Sequence, residues 1–302
     1  MEKKLFFKED DTFKILQFTD VHWVDGCEND LRTTAGMKSI LELEKPDFVV
    51  FTGDTVYGND NANAFRMAVE PVNNANIPWA AVFGNHDSEL GSSKEILLSV
   101  QQESSLCLTE AGEPDIDGIG NYVISVNTSE GKPSWFLFFI DSGDYNKNEK
   151  VGGYDFIKRS QINWYIKKSS ELKDNYGNIP ALSFFHIPLQ EHNLIWNICE
   201  CYGEKNENVC CSPQNSGLFS AMLEMGNMKG VFVGHDHIND YWGELFSIKL
   251  YYGRATGYNT YGSETFKHGA RIIMLKANSN DFESYIRLDD GSLIEKQETH
   301  RP

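Results

Sequence analysis

The sequence predicts an α/β fold with buried, largely parallel strands, and three observations predict it. Short runs rich in β-branched and aromatic residues recur along the chain, each closed by turn-forming residues. Amphipathic stretches of helical length separate the first six runs. The clustered Asp, Asn and His residues fall where those runs end, at the carboxyl edge where open α/β sheets bind their ligands.

The runs are Phe13 to Phe18, Asp47 to Phe51, Trp79 to Phe83, Trp135 to Ile140, Ala181 to Phe185 and Lys229 to Val233. Nearly all their positions are apolar, the mark of strands covered on both faces. The helical stretches are Leu31 to Glu44, Ala62 to Asn74, Ser93 to Ser104, Phe156 to Leu172 and Gly217 to Met225. The first carries Leu31, Met37, Ile40, Leu41 and Leu43 and stops before Pro46. Beyond Phe246 the texture changes. Phe246 to Tyr252, Ala270 to Ala277 and Phe282 to Leu288 read as hairpin-type strands with no helix between the first two. Gly112 to Gly120 and Glu200 to Gln214 read as loops. With no repeat, low-complexity tract or linker, residues 1–302 read as a single domain.

Composition narrows the function classes. Against 27 Lys and Arg stand 44 Asp and Glu, a formal net charge of −17 over 302 residues. A chain so acidic, with no basic run, is not built to neutralise nucleic-acid phosphates or to lie on an anionic membrane. No stretch approaches the roughly 20 apolar residues of a bilayer span. The basic start has only Leu5 to Phe7 as its apolar part, too little for a signal peptide, so the expected compartment is the cytoplasm, with a secretory compartment as the alternative where a signal peptide has been removed. Of six cysteines, Cys199, Cys201, Cys210 and Cys211 crowd one segment. Their spacing lacks the C-x₂-C of structural zinc sites and leaves disulfides and reduced thiols as the readings. Asn127-Thr128-Ser129 is one glycosylation sequon.

The strand-end clusters are Asp20-Val21-His22, Gly53-Asp54, Gly84-Asn85-His86-Asp87, His186 and Gly234-His235-Asp236-His237. Singly, each is a turn or a packed histidine. Five in order, each closing a strand, form a constellation. Carboxylate, imidazole and amide donors without thiolate suit zinc, manganese or iron. Asp20, His22, Asp54, Asn85, His186, His235 and His237 are seven donors, enough for two ions with one shared carboxylate. The glycines before Asp54, Asn85 and His235 let the chain turn sharply off a strand.

These blocks resemble the calcineurin-like metallophosphoesterase superfamily, whose pattern is D-x-H, G-D, G-N-H-[DE], a lone His and G-H-x-H. The purple acid phosphatase-like branch of plants and fungi is the most similar part of it, on Phe185-His186-Ile187-Pro188 with Glu191, Asn215-Ser216-Gly217, Gly234 to Asp240, Asp141-Ser142-Gly143-Asp144-Tyr145 and the late Gly253-Arg254, Gly257-Tyr258 and Tyr261-Gly262. The likeness spans about Phe13 to Gly291. It implies a four-layer α/β/β/α metallophosphoesterase sandwich and a centre of two divalent or mixed-valence ions. One ion would take Asp20, His22, Asp54 and His237, and the other Asp54, Asn85, His186 and His235. The coloured phosphatases read D-x-G in the first block and G-D-x-x-Y in the second, where tyrosine binds ferric iron. Here Tyr57 stands in the tyrosine position while His22 fills the first block. His22 is the favoured ligand, and a ferric–tyrosinate site at Tyr57 is the alternative.

The expected reaction is hydrolysis of a phosphate monoester, in a small molecule or a phosphoprotein, by hydroxide bridging two metals. The same core serves phosphodiesterases and nucleotide pyrophosphatases, and a scaffold that kept only the fold is the reading from another class. His86 is the candidate acid or phosphate contact, with Asp87 beside it to orient or tune it. Asp236 and Asp240 are candidates to hold metal-bound imidazoles, or are turn residues. Arg254 is the one Arg of the late loop block Tyr252 to Gly262 and a candidate phosphate grip, although spacing alone reads it first as a surface arginine. Tyr258 and Tyr261 either line the cleft or anchor their loop. His192 and His268 read as structural, and His300 as part of a disordered tail.

Overall fold

The structure, a computed structural model, describes residues 4–262 and 265–302; residues 1–3, which open the basic N-terminal stretch, lie outside them. The strands are β1 (Leu5–Phe6), β2 (Thr12–Phe18), β3 (Phe48–Thr52), β4 (Trp79–Val82), β5 (Tyr122–Asn127), β6 (Pro133–Phe139), β7 (Ala181–Phe184), β8 (Cys201–Tyr202), β9 (Met228–Val233), β10 (Trp242–Leu245), β11 (Ile248–Tyr252), β12 (Gly269–Lys276), β13 (Phe282–Leu288), β14 (Leu293–Ile294) and β15 (Thr299–His300). The helices are α1 (Glu28–Glu44), α2 (Asn61–Asn74), α3 (Lys94–Gln101), α4 (Arg159–Tyr176), α5 (Gln190–Ile198) and α6 (Leu218–Met225).

Among the described residues the strands form two mixed sheets. One has nine strands in the order β1-β5-β6-β7-β9-β11-β10-β8-β15, the other six in the order β14-β13-β12-β2-β3-β4. Each has a parallel part, as expected: β2, β3 and β4 at one side of the six-stranded sheet, β6, β7, β9 and β11 in the middle of the nine-stranded one. The remaining pairings are antiparallel, which the expectation of largely parallel strands did not include, except that the edge strand β1 pairs parallel with β5. β11 and β12 are not a hairpin pair, because they belong to different sheets.

Period-two alternation divides the apolar side chains between three clusters. Along β3, Phe48 and Val50 face the other sheet, while Val49 and Phe51 face α1, α2 and α3. Along β6, Trp135, Leu137 and Phe139 face between the sheets, and Phe136 and Phe138 meet α4, α5 and α6. Helices, sheet, sheet, helices is the four-layer sandwich. Both faces of the central strands are covered, so these runs show no polar alternation.

Several elements escaped the sequence reading. β5 alternates cleanly, but one turn signal after another surrounds it. α5 buries only His192 and Ile195 and so carries a weak periodic signal. His300 is not in a disordered tail: β15 pairs with β8, and its ring stacks on Trp196 at 3.8 Å while Nε2 donates to the Trp196 carbonyl. Asn127 is buried and donates to the Leu5 carbonyl, so the sequon is not presented to solvent. None of the six cysteines is joined in a disulfide.

Buried polar ties join the sheets. Gln17 of β2 donates to the Val233 carbonyl at the end of β9. Arg271 of β12, fully buried, donates from Nε to the Tyr252 carbonyl of β11 at 2.7 Å and from Nη2 to the Asp240 carbonyl at 2.6 Å. Arg271→Met deprives both carbonyls of this donor. It is expected to destabilise the fold by about 2–4 kcal/mol, seen as a lower urea midpoint with an unchanged slope.

Candidate metal centre

All seven expected donors gather where the two sheets present their carboxyl edges. Asp20 and His22 follow β2, Asp54 follows β3, and Asn85 follows β4; His186 follows β7, and His235 and His237 follow β9. Six of them form two groups whose donor atoms lie within 4.8 Å of one another, Asp20 with His22 and His237, and Asp54 with His186 and His235. Asp54 joins them. Its Oδ2 is 3.1 Å from His186 Nε2 in one group and 3.6 Å from His22 Nε2 in the other. Asp20 Oδ1 is 3.5 Å from His237 Nε2, and His235 Nδ1 is 3.3 Å from His186 Nε2.

Backbone geometry makes the convergence. Asp20, His22, Asp54 and His235 all have positive φ, at 51°, 47°, 48° and 79°. Left-handed backbone in four non-glycine residues of one site is strain that surrounding bonds must impose. The bonds are present. His22 N–H donates to the Asp54 carbonyl, Asp20 N–H to the Gly53 carbonyl and Gly234 N–H to the His186 carbonyl. Two carboxylates brace neighbouring loops as well: Asp54 Oδ1 accepts from His86 N–H at 2.8 Å, and Asp20 accepts from His235 N–H at 3.1 Å. Glycine is required here for closeness more than for torsion. A Cβ on Gly84 would stand 2.1 Å from Asp54 Oδ1, and one on Gly234 would stand 1.9 Å from Thr19 Oγ1.

The electrostatics ask for positive charge. Asp20 and Asp54 are both buried, yet each carboxyl is held below its ordinary range: burial pushes it up, as does the Asp54 charge on Asp20, and the facing imidazoles outweigh that. Burial disfavours charge on His186, but the Asp54 carboxylate beside it prevails and lifts it to about 10. Burial, with the neighbouring His186, pushes His235 down to about 3, leaving it a neutral donor. His22 Nε2 and Asn85 Oδ1 are buried with no hydrogen-bond partner. Unpaired buried acceptors cost stability unless something binds them, and a cation among these donors satisfies both. The chain therefore fits two metal sites of nitrogen and oxygen donors.

Around this centre several expectations are corrected. Asp87 does not orient His86: it is fully buried, and its two oxygens accept from Val56 N–H and Gly84 N–H, clamping one strand-end loop to the next. The carboxylate on His86 is Glu89, whose Oε2 meets His86 Nδ1. Arg254 offers no fork to a phosphate. It is buried, donates to Asp240 Oδ2 at 2.5 Å and to the Lys267 carbonyl at 2.6 Å, and lies over the Phe266 ring. Asp240 is thus spent on Arg254, and Asp236 accepts from the Tyr252 hydroxyl and Cys210 N–H; neither holds an imidazole. That role falls to a backbone carbonyl, since His186 Nδ1 donates to Thr52 O at 2.8 Å.

The aromatic rim was only partly foreseen. Tyr261 stacks on His237 at 4.1 Å and donates to Glu207, whereas Tyr258 is a loop anchor bonded to Asp289. Tyr57 is 38% exposed, packs edge-on against His86, and its ring centroid lies 6.1 Å from that of His22. Tyr154 packs on His235 and Tyr145 on Tyr154. The Tyr145 hydroxyl accepts from Asn85 Nδ2 at 3.4 Å, which turns the amide oxygen inward. Beside Tyr145 opens a cleft of about 740 Å³, walled by Lys94, Asp144, Lys147, Phe156 and Lys158. Only the Asp141-Ser-Gly-Asp-Tyr block hinted at Tyr145; Glu89 and Glu207 had no signal beyond proximity in sequence to a cluster or a loop.

The family model for calcineurin-like phosphoesterases matches residues 13–239. A relative from Arabidopsis thaliana named probable inactive purple acid phosphatase 29 is 34% identical over 334 residues, covering 96% of this chain and 86% of its own. The phosphatase DCR2 of Saccharomyces cerevisiae is 33% identical over 261 residues, covering 76% of this chain and 44% of its own. Among solved structures, a dimetal phosphatase from Danio rerio shares the fold with a TM-score of 0.60 at 14% identity, covering 90% of this chain and 98% of that one.

The placement of Tyr57 and His22 yields a test. His22→Ala is expected to lower metal content, and Tyr57→Phe to leave it unchanged with no visible absorption band in the parent protein. Elemental analysis with a visible spectrum reads both; metal loss in Tyr57→Phe alone would move the tyrosine into coordination.

Proposed function

The chain belongs to the calcineurin-like phosphoesterase family, and we propose that it is an active phosphatase hydrolysing phosphate monoesters at a dinuclear metal centre. One observation carries this reading: two donor clusters converge on Asp54 in strained backbone, with His22 Nε2 and Asn85 Oδ1 buried and unpaired. Strain of this kind has no structural use without a ligand to hold.

In this reading Asp20, His22, Asp54 and His237 hold one ion, and Asp54, Asn85, His186 and His235 the other. Zinc, manganese and iron suit such donors. Two bound cations would supply Lewis-acid charge for the phosphate oxygens and lower the pKa of a water at the phosphorus. The protein's own groups do the rest. Asp54 keeps the two halves of the site in register. His86, at the rim beside His22 and Tyr57, meets the leaving oxygen and delivers a proton to it. The cleft beside Tyr145 has room for the alcohol part of an ester.

The name of the plant relative favours a second reading, a protein that keeps the fold without catalysis. Turnover separates the two. On the phosphatase reading, p-nitrophenyl phosphate is hydrolysed faster than its bis-ester, and a chelator abolishes the rate until metal is returned. Asp54→Asn is expected to cost more activity than any other single change among the seven and to release both ions, since it alone would touch both. Metal-replete protein inert toward monoesters and diesters would establish the scaffold reading; a faster bis-ester would reassign the substrate.

His86→Ala is expected to keep its metal and to lose about 10²-fold or more in kcat on an alkyl phosphate. The loss on p-nitrophenyl phosphate, whose leaving group departs without a proton, is expected to be smaller. Equal losses would make His86 a phosphate contact.

A further inference from the structure

Resting on the reading of His86 as the proton donor, we propose that Glu89 is its positioning residue, keeping a hydrogen on Nδ1 so that the imidazolium's second proton, on Nε2, is the one given to the leaving oxygen, which leaves the neutral Nδ1–H tautomer behind. Glu89 Oε2 meets His86 Nδ1, three residues earlier on the same loop. An ionised carboxylate only accepts, so the nitrogen facing it carries the proton. The ring's other nitrogen is then the one left for substrate.

The carboxylate is itself held. The Tyr145 hydroxyl donates to the same Oε2 at 3.4 Å, and its lone pair accepts from Asn85 Nδ2. A hydroxyl with one hydrogen satisfies both contacts only in this sense, so the chain of bonds runs from Asn85 through Tyr145 to Glu89 and there meets His86. On its other side the His86 ring is confined by Tyr57, at 4.8 Å between centroids, and by His22, at 5.3 Å. Ring faces and a hydrogen bond together restrict both torsions of the side chain. His86 N–H is bound to Asp54 Oδ1, so the backbone beneath is fixed as well. An oriented histidine with a carboxylate on one nitrogen and its other nitrogen at a reaction centre is the arrangement by which a third group sets tautomer and direction. Asp87, the neighbour in sequence, is unavailable because both its oxygens bind backbone.

Glu89 is a third exposed, so its truncation leaves the fold intact. The experiment uses zinc-loaded protein and reads two quantities. The first is the His86 tautomer by ¹⁵N–¹H correlation: Nδ1–H is expected in the wild type, lost in Glu89→Ala and retained in Glu89→Gln, which keeps an acceptor oxygen. The second is kinetic. Glu89→Ala is expected to lower kcat on an alkyl phosphate about 10-fold with KM and zinc content unchanged, and to add less than 2-fold in the His86→Ala background. Nδ1 without hydrogen in the wild type would overturn the proposal, as would an equal loss from Glu89→Ala with and without His86. Should His86→Ala cost nothing on either substrate, the acid reading fails by itself, and the tautomer spectrum still decides whether Glu89 holds the ring.

Discussion

A carboxylate taken out of water must be paired, and in this molecule the pairing of Asp54 organises everything around it. The residue is 1% exposed. Burying such a charge alone costs several kcal/mol, and one imidazole would not fill both oxygens. Asp54 uses both. Oδ1 takes the His86 N–H from the loop after β4, and Oδ2 faces His186 from β7 and His22 from β2. These contacts reach across the two sheets, so the carboxylate is a tie within the sandwich as well as a candidate ligand. Gly84 has no side chain because that oxygen occupies the space.

The four left-handed residues follow from the same constraint. In regular strand geometry Asp20 and His22, two residues apart, would both stand out from one face of the sheet and would not turn across the end of β2 toward Asp54. Positive φ at each turns them in. Such torsions cost roughly 1–3 kcal/mol apiece, and the ladder of backbone bonds between strand-end loops offsets them. The bridges Thr19 to Ala255 and Trp23 to Val56 extend pairing beyond the named strands for this reason. Behind them, Asp30 accepts the N–H groups of Val24, Asp25, Gly26 and Cys27 and stiffens the loop that follows His22.

The fold and the seven donors were legible because both depend on repeated, directional signals. Six apolar runs with polar ends require strands with a common carboxyl edge, and a glycine beside a donor marks a close approach. The hairpin margins were partly legible, since β12 and β13 read as strands although their sheet could not be assigned. What failed were inferences from adjacency. Asp87 neighbours His86 in sequence but points back to the Gly84 and Val56 amides; Asp236 lies between two histidines and turns to Tyr252 and Cys210. Consecutive residues in a turn diverge, whereas residues three apart, such as His86 and Glu89, can meet. Arg254 misled for another reason. Sequence cannot tell that Asp240, fourteen residues before it, has claimed the guanidinium within a buried layer. His300 looked like a tail because its partner, Trp196, is a hundred residues away.

With Arg254 committed to the interior, the groups on the rim are aromatic and acidic: Tyr57, Tyr145, Tyr154 and Tyr261, with Glu89 and Glu207 bonded among them. In a chain of net charge −17 such a rim repels a phosphate. Apart from the lysines of the cleft beside Tyr145, attraction then has to come from the centre itself. Cations among the seven donors would offset Asp20 and Asp54 and leave positive charge to face an incoming anion, while the carboxylates on the rim keep His86 and the tyrosines in place. Removing metal from such a site would cost substrate binding and chemistry together. A site that instead gripped phosphate through arginine would keep its binding and lose only its rate.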